Sequence, residues 1–297
     1  MPTVSVIMNC LNCSKYLREA MDSVYAQTYK DWEIIFWDNA STDNSAEISK
    51  DYDRKVNYFR GKETVSIGKA RNWAIEQARG EYIAFLDCDD VWMPEKLELQ
   101  LHALEKENTN FCYSKVRWIT YSKDGQEISS RVLGKRLPCE GHRLIMELCK
   151  GNIITWSSVM TKAELCKEIK FNEKLRRLED YDHILRASPK MRLSYVDQEL
   201  ATYRMYPTNF TSLLHDIASE ELRIIDESFV KLHLNKEQKM KFRDHIILAE
   251  AHEKAGVSFY KYLKHLFPVF INDPFVALKS ALKGSFMNTG KRCLRYL

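Results

Sequence analysis

The chain has 297 residues, 45% of them hydrophobic and 29% charged, enough apolar material for one large domain or two small ones, which excludes a disordered chain. A formal net charge of +4 is too small by itself to mark a nucleic-acid binder, and none is expected as a partner. No signal-peptide pattern opens the chain and no uncharged run reaches the roughly 18–20 residues that cross a bilayer, so the cytoplasm is the expected compartment. Eight cysteines in that setting are expected as reduced thiols. Cys10 and Cys13 form a C-x-x-C, but no second such pair or His pair at ligand spacing follows, so both read as ordinary buried thiols.

The first hundred residues alternate strand and helix patterns. Residues 4–8 read as a buried strand. After Ser14, a candidate N-cap, Leu17, Ala20, Met21, Val24 and Tyr25 fall on one helical face. Residues 33–37 form a second expected strand, followed by a turn in which Asn44 and Glu47 suit a capping pair, and residues 56–60 form a third. SIGKARNWAIEQARG reads as a helix ended by Gly80, and residues 82–86 as a fourth strand. This alternation predicts a mostly parallel mixed sheet flanked by helices, with ligands beyond the carboxyl ends of the strands. Further on, residues 111–120 read as a strand with a turn at Asp124–Gly125, and residues 155–160 as a strand leading into a helix.

Asn9–Asn12, Asp38–Asn39 and Asp87–Asp90 each lie just past an expected strand, so one sheet edge gathers them. In FLDCDDVWMPEKLE, Asp87 and Asp89 bring two carboxylates to one point, where like charges need a cation or strong donors. Mg²⁺ or Mn²⁺, held by one or two carboxylates and a substrate diphosphate, is the simplest compensator. Asp90 reads equally as a cap for the helix opened by Pro94. Glu179–Asp180 stands at an expected helix start, either as dipole partners or as the seat of a general base. Trp156 reads equally as a sugar-stacking face or a core residue.

The segments VSVIMNCLN, WDNASTD, IGKARNWAIEQARGEYIAFLDCDDVW, FNEKLRRLEDYDHILRA and TYRMYPTNFT occur in that order over about the first 210 residues. Together they resemble the family 2 glycosyltransferases, inverting enzymes with a GT-A fold. The resemblance implies a catalytic domain over residues 1–215, with a nucleotide-sugar-binding half at 1–110 and an acceptor half at 111–215. It also implies sugar transfer from a nucleotide-diphosphate donor, with uracil as the expected base, to a glycan or polyprenyl-diphosphate-linked acceptor in cell-surface polysaccharide synthesis. Asn12, Asp38 and Asn39 would belong to the donor site, Arg71 would approach the diphosphate and Asp87 would contact ribose or metal-bound groups. Asp89 would ligate Mn²⁺ or Mg²⁺, and Asp180 would be the catalytic base. Leu11, Asn39 and Tyr206 depart from the residues many relatives carry there, an aromatic, a second aspartate and a histidine. A sugar-phosphate nucleotidyltransferase would want a glycine-rich loop where this chain reads NCLNCSK, and a non-catalytic nucleotide-sugar-binding relic would have no need of a base.

From residue 216 the chain reads as a helical carboxyl-terminal region. Between residues 257 and 297 basic residues interleave with Phe and Leu, a pattern that suits an anionic membrane surface or, equally, helices packed on the catalytic domain.

Overall fold

The computed structural model describes residues 1–149, 151–207 and 224. Apart from Ile224, the expected helices of 216–297 and their basic, apolar pattern lie outside the described residues. The chain separates into two compact units, residues 1–145 with 154–214, and residues 146–153 with 215–297.

Its strands are β1 (Val4–Cys10), β2 (Trp32–Asp38), β3 (Val56–Arg60), β4 (Tyr82–Phe85), β5 (Val91–Trp92), β6 (Phe111–Tyr121), β7 (Glu127–Leu133), β8 (Met160–Lys162) and β9 (Leu193–Met205). The helices are α1 (Ser14–Tyr25), α2 (Ser45–Ser49), α3 (Ile67–Gln77), α4 (Lys96–Lys106), α5 (Gly141–Leu148), α6 (Ala163–Glu168) and α7 (Glu179–Ala187). One sheet joins the strands in the order β3-β2-β1-β4-β8-β6-β9-β5, with β7 on β6. β3, β2, β1 and β4 run parallel, whereas β8 meets both β4 and β6 antiparallel. This is the mixed α/β sheet anticipated above.

The apolar runs explain the parallel half. β4 is buried throughout and β1 and β2 nearly so, as strands covered on both faces must be. Leu17, Ala20, Met21 and Val24 of α1 pack on them, and each large aliphatic chain buried contributes about 1.5–3 kcal/mol.

Several helix ends differ from expectation, because tertiary donors and acceptors displace local ones. Ser14 is the first helical residue of α1, not its cap; Cys13 holds that position. The Cys13 and Ser14 N–H groups donate to Ser45 Oγ (3.2 Å) and Asp43 Oδ2 (2.8 Å). Asn44 precedes α2 without a side-chain cap bond, and Asp43 Oδ1 accepts from Ser45 N instead. α3 begins at a capping Ser66 and stops at Gln77, three residues before Gly80. Gly80 has another purpose: a Cβ there would lie 2.6 Å from Ser5 N of β1. The 155–160 segment is a 3₁₀ turn (Trp156–Ser158) followed by the short β8, with Ser157 bonded to the segment after β4.

The register sets the functional edge. Cys10, Asp38 and Arg60 align across the carboxyl ends of β1, β2 and β3. The chain builds outward from β1 to β2 and β3, then returns to place β4 on the other side of β1. The crevice between the ends of β1 and β4 is therefore a topological switch point, where open α/β sheets bind ligands.

Candidate active site

The segment after β4 is held from several sides. The Asp87 N–H donates to Ser157 Oγ (3.2 Å) and the Asp90 N–H to Asp87 O (3.0 Å). Asp90 is buried and accepts from Ser157 Oγ (2.5 Å) and from Arg204 N of β9 (3.0 Å). It therefore does not cap α4, whose first residue is Lys96. Burial, and then the charges of Asp89 and Asp87, push the Asp90 carboxyl well above the usual carboxylate range. Arg204 Nε also donates to Asp89 O, and its Nη1 pairs with Glu19. These bonds lock the backbone while Asp87 and Asp89 stay only partly covered.

Arg71, on α3, joins this segment to α7. Its side chain is 6% exposed, with Nη2 donating to Asp87 Oδ1 (3.1 Å) and Nη1 to Glu179 Oε1. Its guanidinium lies 5.6 Å from the ring centres of both Trp156 and Phe171. Burial opposes its charge, but Glu179, Asp87 and Asp180 outweigh that and raise its pKa. Glu179 is pushed up to about 7, chiefly by burial, with Arg71 opposing and Asp180 adding to the rise. Asp180, half-buried beside it, accepts from Tyr181 N at the first turn of α7 (2.7 Å). The residue before α7, Leu178, has φ of 54°, a left-handed conformation that costs a non-glycine residue about 1–2 kcal/mol and clusters at functional sites.

The loops after β1 and β2 are built differently. Asp38 is fully buried; Oδ2 accepts from Tyr58 OH and Arg60 Nη1 (both 2.7 Å), and Oδ1 from Ser41 N (2.7 Å). Asn39 clamps the backbone of Val65, donating Nδ2 to its carbonyl (2.9 Å) and accepting from its N–H (3.1 Å). Asn12, at φ 57°, bridges the two loops through Thr42 N (2.8 Å). Leu11 is 44% exposed beside it.

The family model for glycosyl transferase family 2 matches residues 5–189. The chain belongs to glycosyl transferase family 2. An uncharacterized glycosyltransferase of Methanocaldococcus jannaschii is 28% identical over 289 residues, covering 94% of both chains. The Escherichia coli UDP-Glc:alpha-D-GlcNAc-diphosphoundecaprenol beta-1,3-glucosyltransferase WfaP is 38% identical over 115 residues, which are 38% of this chain and 46% of that one. Among solved structures, S. aureus TarS 1–349 in complex with UDP-GlcNAc superposes with a TM-score of 0.67 at 19% identity, over 89% of this chain and 79% of that one. The mannosyltransferase PcManGT from Pyrobaculum calidifontis, in complex with GDP-Man and Mn²⁺, has a TM-score of 0.59 at 16% identity, over 97% and 88%. The fold of this family 2 member is thus GT-A, as its mixed sheet and flanking helices indicate.

Three residues tie the Asp87–Asp90 segment to its surroundings, and of these only Glu179 stands among the sequence candidates. Glu179 adjoins Asp180 in sequence, but its partner in space is Arg71, 108 positions away. Ser157 and Arg204 fix the Asp87–Asp90 segment from a 3₁₀ turn and from β9. Arg204 is the one arginine of TYRMYPTNFT, and its spacing gives no sign of Asp90. Trp156 is 3% exposed and packs on Phe85, Phe171 and His183, a core position beneath Arg71 and not a face for sugar. Tyr206 stacks between Tyr16 (4.5 Å) and Tyr121 (4.7 Å). Among the described residues no helix is long and apolar enough to cross a membrane.

Proposed function

We propose that this glycosyltransferase moves a sugar from a UDP-sugar to a hydroxyl of a glycan or polyprenyl-diphosphate-linked acceptor in cell-surface polysaccharide synthesis, inverting the anomeric centre. The observation that carries the reading is Arg71, a buried cation tying Asp87 at the end of β4 to Glu179, next to Asp180, at the start of α7. In this reading one guanidinium links Asp87 of the D-x-D to the helix start that carries the base. The activity in WfaP's name and the nucleotide-sugar ligands of the two solved neighbours support the donor and acceptor classes.

In this reading residues 1–110 hold the donor and residues 111–215 shape the acceptor side. Asn12, Asp38 and Asn39 build the nucleoside end, and Arg71 stabilises negative charge as the diphosphate departs. Asp87 and Asp89 fit a hard divalent ion: their charges already push Asp90 upward, and Asp87 spends one oxygen on Arg71 while its side chain stays 35% exposed. Asp89 would hold Mn²⁺ or Mg²⁺, which when bound supplies positive charge opposite the leaving diphosphate. Asp180 takes the proton of the attacking hydroxyl from the face opposite the leaving group, the geometry of inversion. Residues 216–297 would dock on the anionic inner face of the cell membrane, near a lipid-borne acceptor.

Replacing Asp180→Asn tests the base. Sugar transfer should fall by about 10²–10⁴-fold, while calorimetric affinity for the nucleotide-sugar stays within about twofold. Transfer at the normal rate would refute the assignment.

A further inference from the structure

The C-x-x-C of the amino-terminal loop has a third member that its spacing conceals. Cys88 lies between Asp87 and Asp89, and its Sγ, with those of Cys10 and Cys13, forms a group in which all three sulfurs lie within 4.8 Å of one another. Cys10 closes β1, Cys13 is the N-cap of α1 and Cys88 follows β4. Three elements of the switch-point crevice thus each supply one thiol. Cys10 and Cys88 are 1% and 2% exposed and Cys13 is half-buried. Two of the three thiols are thus buried and the third is half-buried.

The immediate surroundings are poor in competing ligands. Cys88 Sγ donates to Asn9 O (3.4 Å), Cys13 Sγ to Leu11 O (3.5 Å), and Cys10 Sγ stands 3.8 Å from Ser41 Oγ. The grouping holds no His, Asp or Glu among the described residues. An ion here would be bound by sulfur, and by sulfur in low coordination number. Thiolate ligands select soft cations, whereas the carboxylates of Asp87 and Asp89 on either side of Cys88 select hard ones. Two neighbouring residues can thus serve two ions without competing for either.

We propose that Cys10, Cys13 and Cys88 form a binding site for a soft d¹⁰ cation of the Cu⁺ and Zn²⁺ class, separate from the hard-cation site of the D-x-D. Each thiol that ligates releases its proton. The N-terminus of α1, a twelve-residue helix whose N-cap is Cys13, contributes positive potential that favours the resulting thiolates. Three sulfurs about 2.3 Å from a common ion stand roughly 3.8–4.0 Å apart, so side-chain rotations closing less than about 1 Å complete the site. Because Cys88 is the middle residue of the D-x-D, an ion bound to it cross-links the end of β1 and the start of α1 to that loop. Occupancy would then stiffen the segment that carries Asp87 and Asp89.

Cadmium is the probe, because its thiolate charge-transfer absorption reports sulfur ligation without reference to sugar transfer. The reduced full-length chain, held in excess Mg²⁺ to occupy oxygen sites, is titrated with Cd²⁺ under anaerobic conditions. The expected result is a saturating ultraviolet band at one equivalent, with an intensity matching three thiolates. Cys88→Ser and Cys13→Ser should each weaken binding by roughly tenfold or more, and Cys139→Ser, at an exposed site, should leave it unchanged. If Cys88→Ser does not fold by circular dichroism, Cys13→Ser, half-buried, decides alone. Absence of the band, or a band that Cys13→Ser leaves intact or that Cys139→Ser abolishes, overturns the site.

Discussion

Two regions of one sheet edge carry the same residue types and use them in opposite ways. After β1 and β2, Asn12, Asp38 and Asn39 spend their polar atoms on Thr42, Ser41, Tyr58, Arg60 and the backbone of Val65. After β4 and at the start of α7, Asp87 and Glu179 share a single buried guanidinium, and Asp90 is pushed upward by its acidic neighbours. The first region is a rigid frame whose charge is neutralised locally. The second concentrates negative charge in a half-buried place, an arrangement that favours a cation. Position beyond a strand end gives opportunity; the surrounding donors decide whether an acid becomes scaffold or chemistry.

The sharpest way to break this contrast is Arg71→Met, which leaves Asp87 and Glu179 without their shared partner. Removing one side of a buried ion pair costs about 3–5 kcal/mol, so urea denaturation should show a loss in that range and sugar transfer should disappear. A loss below about 1 kcal/mol would mean that Arg71 does not bind the region together. In the first region Asp38→Asn should behave differently. It weakens three intramolecular bonds at about 1–3 kcal/mol, and kcat of the refolded, fully folded fraction should change little. A collapse of kcat at unchanged stability would move Asp38 from frame to chemistry.

Acid stability sharpens the comparison further. Burial lowers His183, on α7, from 6.5 to about 3, so its contribution to stability is present above pH 6.5 and is lost as the pH falls toward 3. Glu179 acts with opposite sign: raised from 4.5 to about 7, its contribution is present below pH 4.5 and is lost as pH rises through 7. The two oppose each other in wild type, and comparison with His183→Gln isolates one of them. Between pH 7.5 and 5 the histidine difference should amount to about 2 kcal/mol, read from urea melts at each pH. A pH-independent gap between the two proteins would contradict the burial effect. The smallest effect is expected for Asn39→Ala. Loss of its clamp on Val65 should cost about 1 kcal/mol and show as faster amide exchange at Val65.

Much of this was legible in the chain because local pattern and tertiary role coincide there. The buried runs of β1, β2 and β4, the apolar face of α1 and the convergence of Asp38, Asp87 and Asp89 on one edge all follow from period and strand order. What stayed hidden depends on partners far off in the chain. Asp90 looked like a local helix cap until Ser157 and Arg204, 67 and 114 positions away, supplied its donors. Ser14 and Gly80 looked like helix punctuation, but Asp43 and the close pass of β1 explain them better. Cys88 was invisible as a companion of Cys10 because only the pairing of β1 with β4 brings them together. Spacing rules see neighbours within a few turns; strand order makes the others.

Calorimetric titration of a UDP-sugar into the wild-type protein and into Asp89→Ala, each with Mn²⁺ and then with excess chelator, tests the central claim most directly. Mn²⁺ should strengthen donor binding to wild type by tenfold or more, about 1.4 kcal/mol, and leave a folded Asp89→Ala protein unaffected. Equal donor affinity in all four titrations would contradict a cation held by the D-x-D at the end of β4.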